Sequence, residues 1–404
     1  MSITDALIHD LPKTDLHLHL DGSLRLSTLI TLAQKYNINL PAYTEKDLKK
    51  TVFKDEYSNL GEYLSGFQYT CAVMQDEASL HQIAYELAMD NIAEGVRYIE
   101  VRFAPQLHTA KGLSIDQIFL AVNRGLKQAQ KEFEISDAVR IHNQPPFRYG
   151  IIACALRMFT ADTIGWYGQF LQHFQHPDLK HIFGQASLEL VRNTTRCRDQ
   201  YNLPIVGLDL AGQEDGYPAK HHKYAFNHAV KHFLNRTVHA GEAYGPESIM
   251  DAVTIVHADR IGHGYHLFSP ERCGEEIVDK EAFTRRIIDY IANHRITIEV
   301  CISSNLQTNP AIGEAKNHHF GRMLEEELSA PICTDNRLIS NTTVSKEIRL
   351  AVDAFHMTPK QLRNILIYGF KRSFFPGSYK VKRRYVRSII DHSTKVFAKH
   401  GIIF

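Results

Sequence analysis

The 404-residue sequence has no uninterrupted apolar run approaching the length that crosses a bilayer, so no helical membrane span is expected. Its first fifteen residues carry three aspartates and lack the basic start and apolar stretch of a secretory signal, which makes a cytoplasmic location the expectation. Six cysteines, Cys71, Cys154, Cys197, Cys273, Cys301 and Cys333, show no paired spacing, so a disulfide framework or a four-cysteine zinc site is excluded and buried, reduced thiols are expected. Charge of one sign is also lacking: 46 basic and 45 acidic residues leave a formal net charge of +1, without a basic block long enough to track a phosphate backbone. The short cluster Lys380-Val381-Lys382-Arg383-Arg384 reads as a solvated face, so neither nucleic acid nor membrane is an expected partner, and a small-molecule substrate is. No fixed-period repeat and no low-complexity linker divides the chain, which reads as one domain over 1–404.

Eight short apolar, β-branched runs are present, each ending in polar or small residues: 14–20, 96–105, 149–157, 205–212, 237–242, 260–265, 297–305 and 331–336. Helical patterns lie between them, as where Ser114 precedes Ile115, Ile118, Phe119, Val122 and Leu126. This alternation predicts an α/β fold, a (β/α)8 TIM-type barrel whose active site stands at the C-terminal strand ends. Residues 40–75 do not fit a minimal barrel. There Tyr57, Leu60, Tyr63, Leu64 and Phe67 recur at helical spacing, and read either as a helical lid inserted after the first strand or as ordinary core. Residues 343–404 add C-terminal helices, one opened by Thr358-Pro359 with Leu362, Ile365 and Leu366 as its buried stripe.

Histidines stand out at the strand ends. Strand side chains alternate faces, so His17 and His19 point together into the barrel mouth while Leu16, Leu18 and Leu20 face the helices. The fifth run ends Val238-His239-Ala240-Gly241-Glu242, the sixth Gly262-His263-Gly264, and the eighth Cys333-Thr334-Asp335-Asn336. In a barrel these ends are neighbours, and three imidazoles with one carboxylate suit zinc with room left for a water. Such a water is a nucleophile at pH 7. Two-metal barrel hydrolases bridge their ions with a modified lysine on the fourth strand; the run 205–212 has no lysine, so one zinc per chain is expected.

The ordered set Asp15-Leu16-His17-Leu18-His19-Leu20-Asp21-Gly22-Ser23, Leu208-Asp209-Leu210-Ala211-Gly212, His239-Ala240-Gly241-Glu242, Arg260-Ile261-Gly262-His263-Gly264, Glu299-Val300-Cys301 with Ser303-Ser304-Asn305, and Thr334-Asp335 resembles the adenosine deaminase family of the amidohydrolase superfamily. The resemblance runs from the first strand to the eighth. It implies that His17, His19, His239 and Asp335 ligate zinc, that Glu242 hydrogen-bonds the purine and that His263 sits beside the reacting water. Purine N1 must gain a proton as C6 becomes tetrahedral, which suits Glu242 as general acid, with Asp335 and His263 taking the proton of the water. The further substrate contacts it implies are His19, Asp21 toward the ribose hydroxyl end, the backbone of Gly212, and Leu60, Tyr63, Leu64 and Phe67 in the lid. Asp209 and Glu299 suit the orientation of ligand histidines. Ser304 and Asn305 fit either substrate contact or loop structure.

The chain departs from the family pattern at Asn336, where a second aspartate is common, and at Ile302, where proline commonly follows the cysteine. No Pro-Cys-x-x-Cys occurs, so this is not the cysteine-ligated type of deaminase. The expected function is zinc-dependent hydrolytic deamination of adenosine, and of 2′-deoxyadenosine, to inosine and ammonia. The alternatives are a deaminase of another 6-aminopurine, adenine or a 5′-modified adenosine, and a non-catalytic binding protein on the same fold.

Overall fold

The computed structural model describes residues 2–174 and 176–404. Seven parallel strands pair in chain order: β1 (Lys13–His19), β2 (Val96–Phe103), β3 (Arg148–Leu156), β4 (Ile205–Ala211), β5 (Asn235–Ala240), β6 (Arg260–His263) and β7 (Thr297–Glu299). Most are buried along their whole length, which is why they read as continuous apolar runs; strands covered by helices have no solvent face to alternate with.

The expected eighth strand is present in position but not as a ladder. Residues 331–336 make one bridge to each neighbour, Ile332 to Val300 and Asp335 to Leu18. Backbone bonds from Cys333 N to Val300 O (2.8 Å), Asp335 N to His17 O (2.8 Å) and His19 N to Asp335 O (2.8 Å) close the ring. The seventh strand is shorter than the sequence suggests. It stops at Glu299, and Ile302–Thr308 is a helix, so Ser304 and Asn305 stand on a helical turn.

The long helices lie outside the ring. Ile115–Glu134 begins at Ser114 with a reciprocal capping box to Gln117, and Pro359–Arg372 begins at Thr358 with another to Gln361. The C-terminal helices Pro359–Arg372 and Tyr379–Lys399 cover the end opposite the histidines: Gly369 packs so tightly on β1 that a Cβ there would meet Thr14 Oγ1 at 2.0 Å, and the Tyr385 hydroxyl donates to Arg97 O at 2.7 Å. Lys380, Arg383 and Arg384 are exposed on that last helix, and all six cysteines are free and buried. Between β1 and the helix Glu77–Ala93, the short helices Glu45–Thr51, Leu60–Ser65 and Phe67–Ala72 occupy the segment expected to be a lid. They are tied to the chain just beyond Asp335 by Tyr57 Oη to Ile339 O (2.9 Å) and by Tyr63 Oη with Ser340 Oγ (2.8 Å).

Candidate active site

β1, β5 and residues 331–336 bring His17, His19, His239 and Asp335 together, all buried, with one potential ligand atom from each within 4.8 Å of the others. His239 Nε2 lies 3.0 Å from His17 Nε2 and 3.3 Å from His19 Nε2, while Asp335 Oδ1 lies 3.3 Å and 3.4 Å from the same two imidazoles. A tetrahedral shell with metal–ligand distances of about 2.0–2.1 Å has edges of about 3.3–3.4 Å, and these four separations lie close to that, so the groups are spaced to hold a metal ion. Their hydrogen bonds support the same reading. His17 Nδ1 donates to Glu299 (2.8 Å) and His239 Nδ1 to Asp209 (3.2 Å), which turns the Nε2 lone pairs toward one another. Lone pairs facing across 3.0 Å repel unless a cation lies between them.

Glycine makes room for this cluster. A Cβ on Gly262 would stand 2.9 Å from His17 Cε1, so β6 can pass the His17 ring only without a side chain. His263 and Asp335 both hold left-handed backbone, φ 62° and 61°, unusual for residues with side chains.

Beneath the ligands lies a fully buried charge network. Arg102 donates to Asp209 (2.9 Å) and Glu299 (2.8 Å), and Arg260 donates to Glu299 (2.7 Å) and to Glu100. Burial alone would raise Glu299 and Asp209, yet Arg102 with Arg260 holds Glu299, and His239 with Arg102 holds Asp209, well below the usual carboxylate range. Neither Arg102 nor Glu100 was singled out from the sequence, and Arg260 entered only as the first residue of a motif, without a role. The available signal was a charged residue inside an otherwise apolar strand.

Above the ligands opens a cavity of about 340 Å³, a size typical of small-molecule sites. His19, Asp21, Leu60, Tyr63, Leu64, Phe67, Gly212, His239, Glu242, His263, Asp335 and Asn336 line it, so every substrate contact expected from the sequence reaches one space, together with Leu107, Leu156 and Met158, which were not foreseen. Burial, then the Asp335 and Glu214 carboxylates, push Glu242 up to about 8, so it keeps its proton at neutral pH. Asp21 is pushed up to about 7 by burial, and its Oδ1 has no partner among the described residues. Asn336 donates from Nδ2 to Tyr63 Oη at 2.9 Å, and a Cβ on Gly22 would fall 1.8 Å from its Oδ1.

Glu214, also missed from the sequence, holds the turn that carries Glu242. Its buried carboxylate accepts the N–H groups of Gly241 (2.9 Å), Glu242 (3.0 Å), Ala243 (2.7 Å) and Tyr244 (3.0 Å), a backbone nest around one anion. Nothing in the local sequence marks it, because its four partners lie some thirty positions away.

A model of the family described as adenosine deaminase matches residues 12–158 and 179–392. A protein of Dictyostelium discoideum named "Probable adenosine deaminase" is 34% identical over 400 residues, 99% of this chain. The chain spans 45% of that relative's length. The adenosine deaminase of Vibrio atlanticus is 32% identical over 371 residues, covering 92% of this chain and 96% of its own. Among solved structures, a Burkholderia ambifaria amidohydrolase with bound zinc superposes with a TM-score of 0.75 at 18% identity, over 99% of this chain and 96% of that one. With the family model matched along most of its length and a barrel that gathers the matched motifs around one cavity, the chain is an aminohydrolase-type enzyme that belongs to the adenosine deaminase family.

Proposed function

We propose that this chain hydrolytically deaminates adenosine and 2′-deoxyadenosine, with water as co-substrate and inosine or 2′-deoxyinosine plus ammonia as products, using one zinc ion held by His17, His19, His239 and Asp335. The observation that carries the reading is a buried carboxyl, Glu242, lining the same cavity as four groups spaced to bind a metal, in surroundings that favour its protonated form. Bound there, the metal supplies a water activated at neutral pH. The donor set is nitrogen and oxygen without a thiolate, which suits zinc, and zinc is also the ion in the Burkholderia structure.

The remaining chemistry belongs to the protein. Glu242 gives its proton to purine N1 as C6 becomes tetrahedral, which keeps negative charge off the ring. His263, whose Nε2 lies 3.8 Å from Glu242, and Asp335 hold the attacking water on the C6 face, and its proton passes to one of this pair and on to the departing amino group, which leaves as ammonia. Asp21, buried with an unpartnered oxygen, accepts a hydrogen bond from the ribose hydroxyl end. Among the described residues lining the cavity there is no lysine or arginine, so a 5′-phosphate would enter beside carboxylates with nothing to neutralise it. That favours the nucleoside over its nucleotide. Leu60, Tyr63, Leu64 and Phe67 act as the lid that keeps bulk water from the purine.

Incubating the purified chain with adenosine, 2′-deoxyadenosine, adenine and adenosine 5′-monophosphate, and following the ultraviolet change on loss of the amino group, tests this directly. The two nucleosides should be turned over fastest. Preference for adenine or for the monophosphate would refute the nucleoside reading.

A further inference from the structure

His263 ends β6 with its ring buried, and which of its nitrogens carries the proton decides what it can do to the reacting oxygen. The structure contains an anchor that settles this. The backbone N–H of Phe320 donates to His318 Nδ1 at 3.0 Å, and a backbone amide can only donate. His318 is buried, which pushes its imidazole down to about 3, so at ordinary pH the ring is neutral and its single proton is on Nε2.

That Nε2–H lies 3.0 Å from Asn305 Oδ1, which must accept it. The amide orientation follows, because the flipped form would set an N–H2 group against an N–H at the same distance. With its oxygen on His318, Asn305 turns Nδ2 to His263 Nδ1 at 3.1 Å and donates there. All three side chains are no more than 2% exposed. The sequence left open whether Asn305 touches substrate or merely shapes a loop; its contacts show it reaching the site through His263.

We propose that His318 and Asn305 are positioning residues that hold the His263 proton on Nε2, so that His263 meets the reacting oxygen as a hydrogen-bond donor and not as a base. The assignment of a reacting oxygen rests on the deamination reading above. It divides the work between the two residues beside the water: Asp335 receives the proton, and His263 steadies the oxygen from which it leaves.

Asn305→Asp tests the relay by exchanging the donor facing His263 for an acceptor of the same shape. Nitrogen-15 spectra of the zinc-loaded full chain, labelled in its histidine rings, should show the His263 proton on Nε2 in the parent and on Nδ1 in Asn305→Asp. Turnover should fall by up to roughly four orders of magnitude, as it does where a catalytic histidine is forced into the wrong tautomer, while zinc content and KM stay within a few-fold. His318→Phe removes the anchor by a different route and should give a mixture of tautomers with a loss of roughly tenfold, which covers the case of an Asn305→Asp chain that does not fold. A parent chain with the proton on Nδ1, an Asn305→Asp chain that keeps it on Nε2, or full turnover with the tautomer reversed would overturn the proposal. The spectrum of the parent decides it even if adenosine is not the substrate, so failure of the relay and failure of the substrate reading are separable.

Discussion

Glu299 and Asp209 each orient one ligand histidine, but they carry different shares of the buried charge, and that difference makes a quantitative test. Glu299 accepts from His17 (2.8 Å), Arg102 (2.8 Å), Arg260 (2.7 Å) and the Thr237 hydroxyl (2.9 Å). In Glu299→Gln one carboxylate oxygen becomes an N–H2 group, which must face one of the two arginines whichever way the amide turns. Two buried guanidinium groups lose a shared counter-ion, and breaking a buried pair from one side costs about 3–5 kcal/mol. Asp209 accepts from Arg102 (2.9 Å), His239 (3.2 Å) and the Leu210 amide (2.7 Å). Asp209→Asn leaves Arg102 its other acceptor on Glu299, so the cost is nearer about 1–3 kcal/mol, that of unsatisfied hydrogen-bonding groups. Metal affinity should drop by about 10–100-fold in both, since each variant loosens one imidazole. Urea unfolding of the metal-free chains gives the first quantity, and competition with a chromophoric chelator gives the second. A greater loss of stability in Asp209→Asn, or parental metal affinity in either variant, would refute the reasoning.

Exhaustive chelation should abolish activity and about one zinc per chain should restore it, whereas His17→Ala and His239→Ala should lose both metal and turnover; full activity in a metal-free sample contradicts the assignment. Glu242→Gln should keep zinc and substrate affinity while losing roughly two or more orders of magnitude in turnover. Because burial, with Asp335 and Glu214 beside it, holds Glu242 up to about 8, the acid is loaded below that pH and lost above it. Turnover of the parent should therefore fall as pH rises through about 8, and a rise in that range would exclude the acid role. Asn336 has a second amide hydrogen beyond the one given to Tyr63, free to meet purine N7; 7-deazaadenosine, which lacks that acceptor, should be a much poorer substrate than adenosine. Tyr63→Phe, which removes the partner of Asn336 and Ser340, should raise KM several-fold with little change in kcat, from the loss of about 1 kcal/mol of hydrogen bonding, and equal kinetics would show that Tyr63 does not hold Asn336 in place.

The metal cluster was legible because it obeys a local rule. His17 and His19 share a face by strand alternation, and His239 and Asp335 end apolar runs, so placing them needed only the barrel topology. The run 297–305 misled because Ile298, Val300 and Ile302 are β-branched or apolar while the helix from Ile302 has no apolar stripe of its own; Ser304 Oγ donating to Asp335 Oδ2 (2.7 Å) and Asn305 bonding His263 are tertiary contacts that tie it down. Residues 331–336 share too few backbone bonds with each neighbour to form a ladder, although the chain passes between β7 and β1 as expected. The buried network stayed hidden for a general reason. An arginine or glutamate in a sequence reads as solvated, and Arg102 finds its partners 107 and 197 positions away, where no local pattern can show them.

The same surroundings that ionise some carboxyls favour the protonated form of another, and this separation supports the proposed chemistry. Arg102 and Arg260 face the carboxylates of Glu100, Asp209 and Glu299, and Asp335 adds a fourth; with the imidazoles neutral, as metal binding requires, two positive charges are lacking, the charge of one divalent cation. A cation of that charge at the four donors would leave the buried assembly neutral, the condition under which buried charge is tolerated. Glu242 lies outside that balance. Arg157, the guanidinium that acts on it, is committed to the carbonyls of Tyr217 (2.7 Å) and His239, and the charges that act on Glu242 most strongly are the carboxylates of Asp335 and Glu214. On the proposed deamination, one barrel end would then hold anionic groups where the cation binds and a neutral carboxylic acid where the purine takes its proton, and environments that push such values apart are what separate an acid from a base in one site.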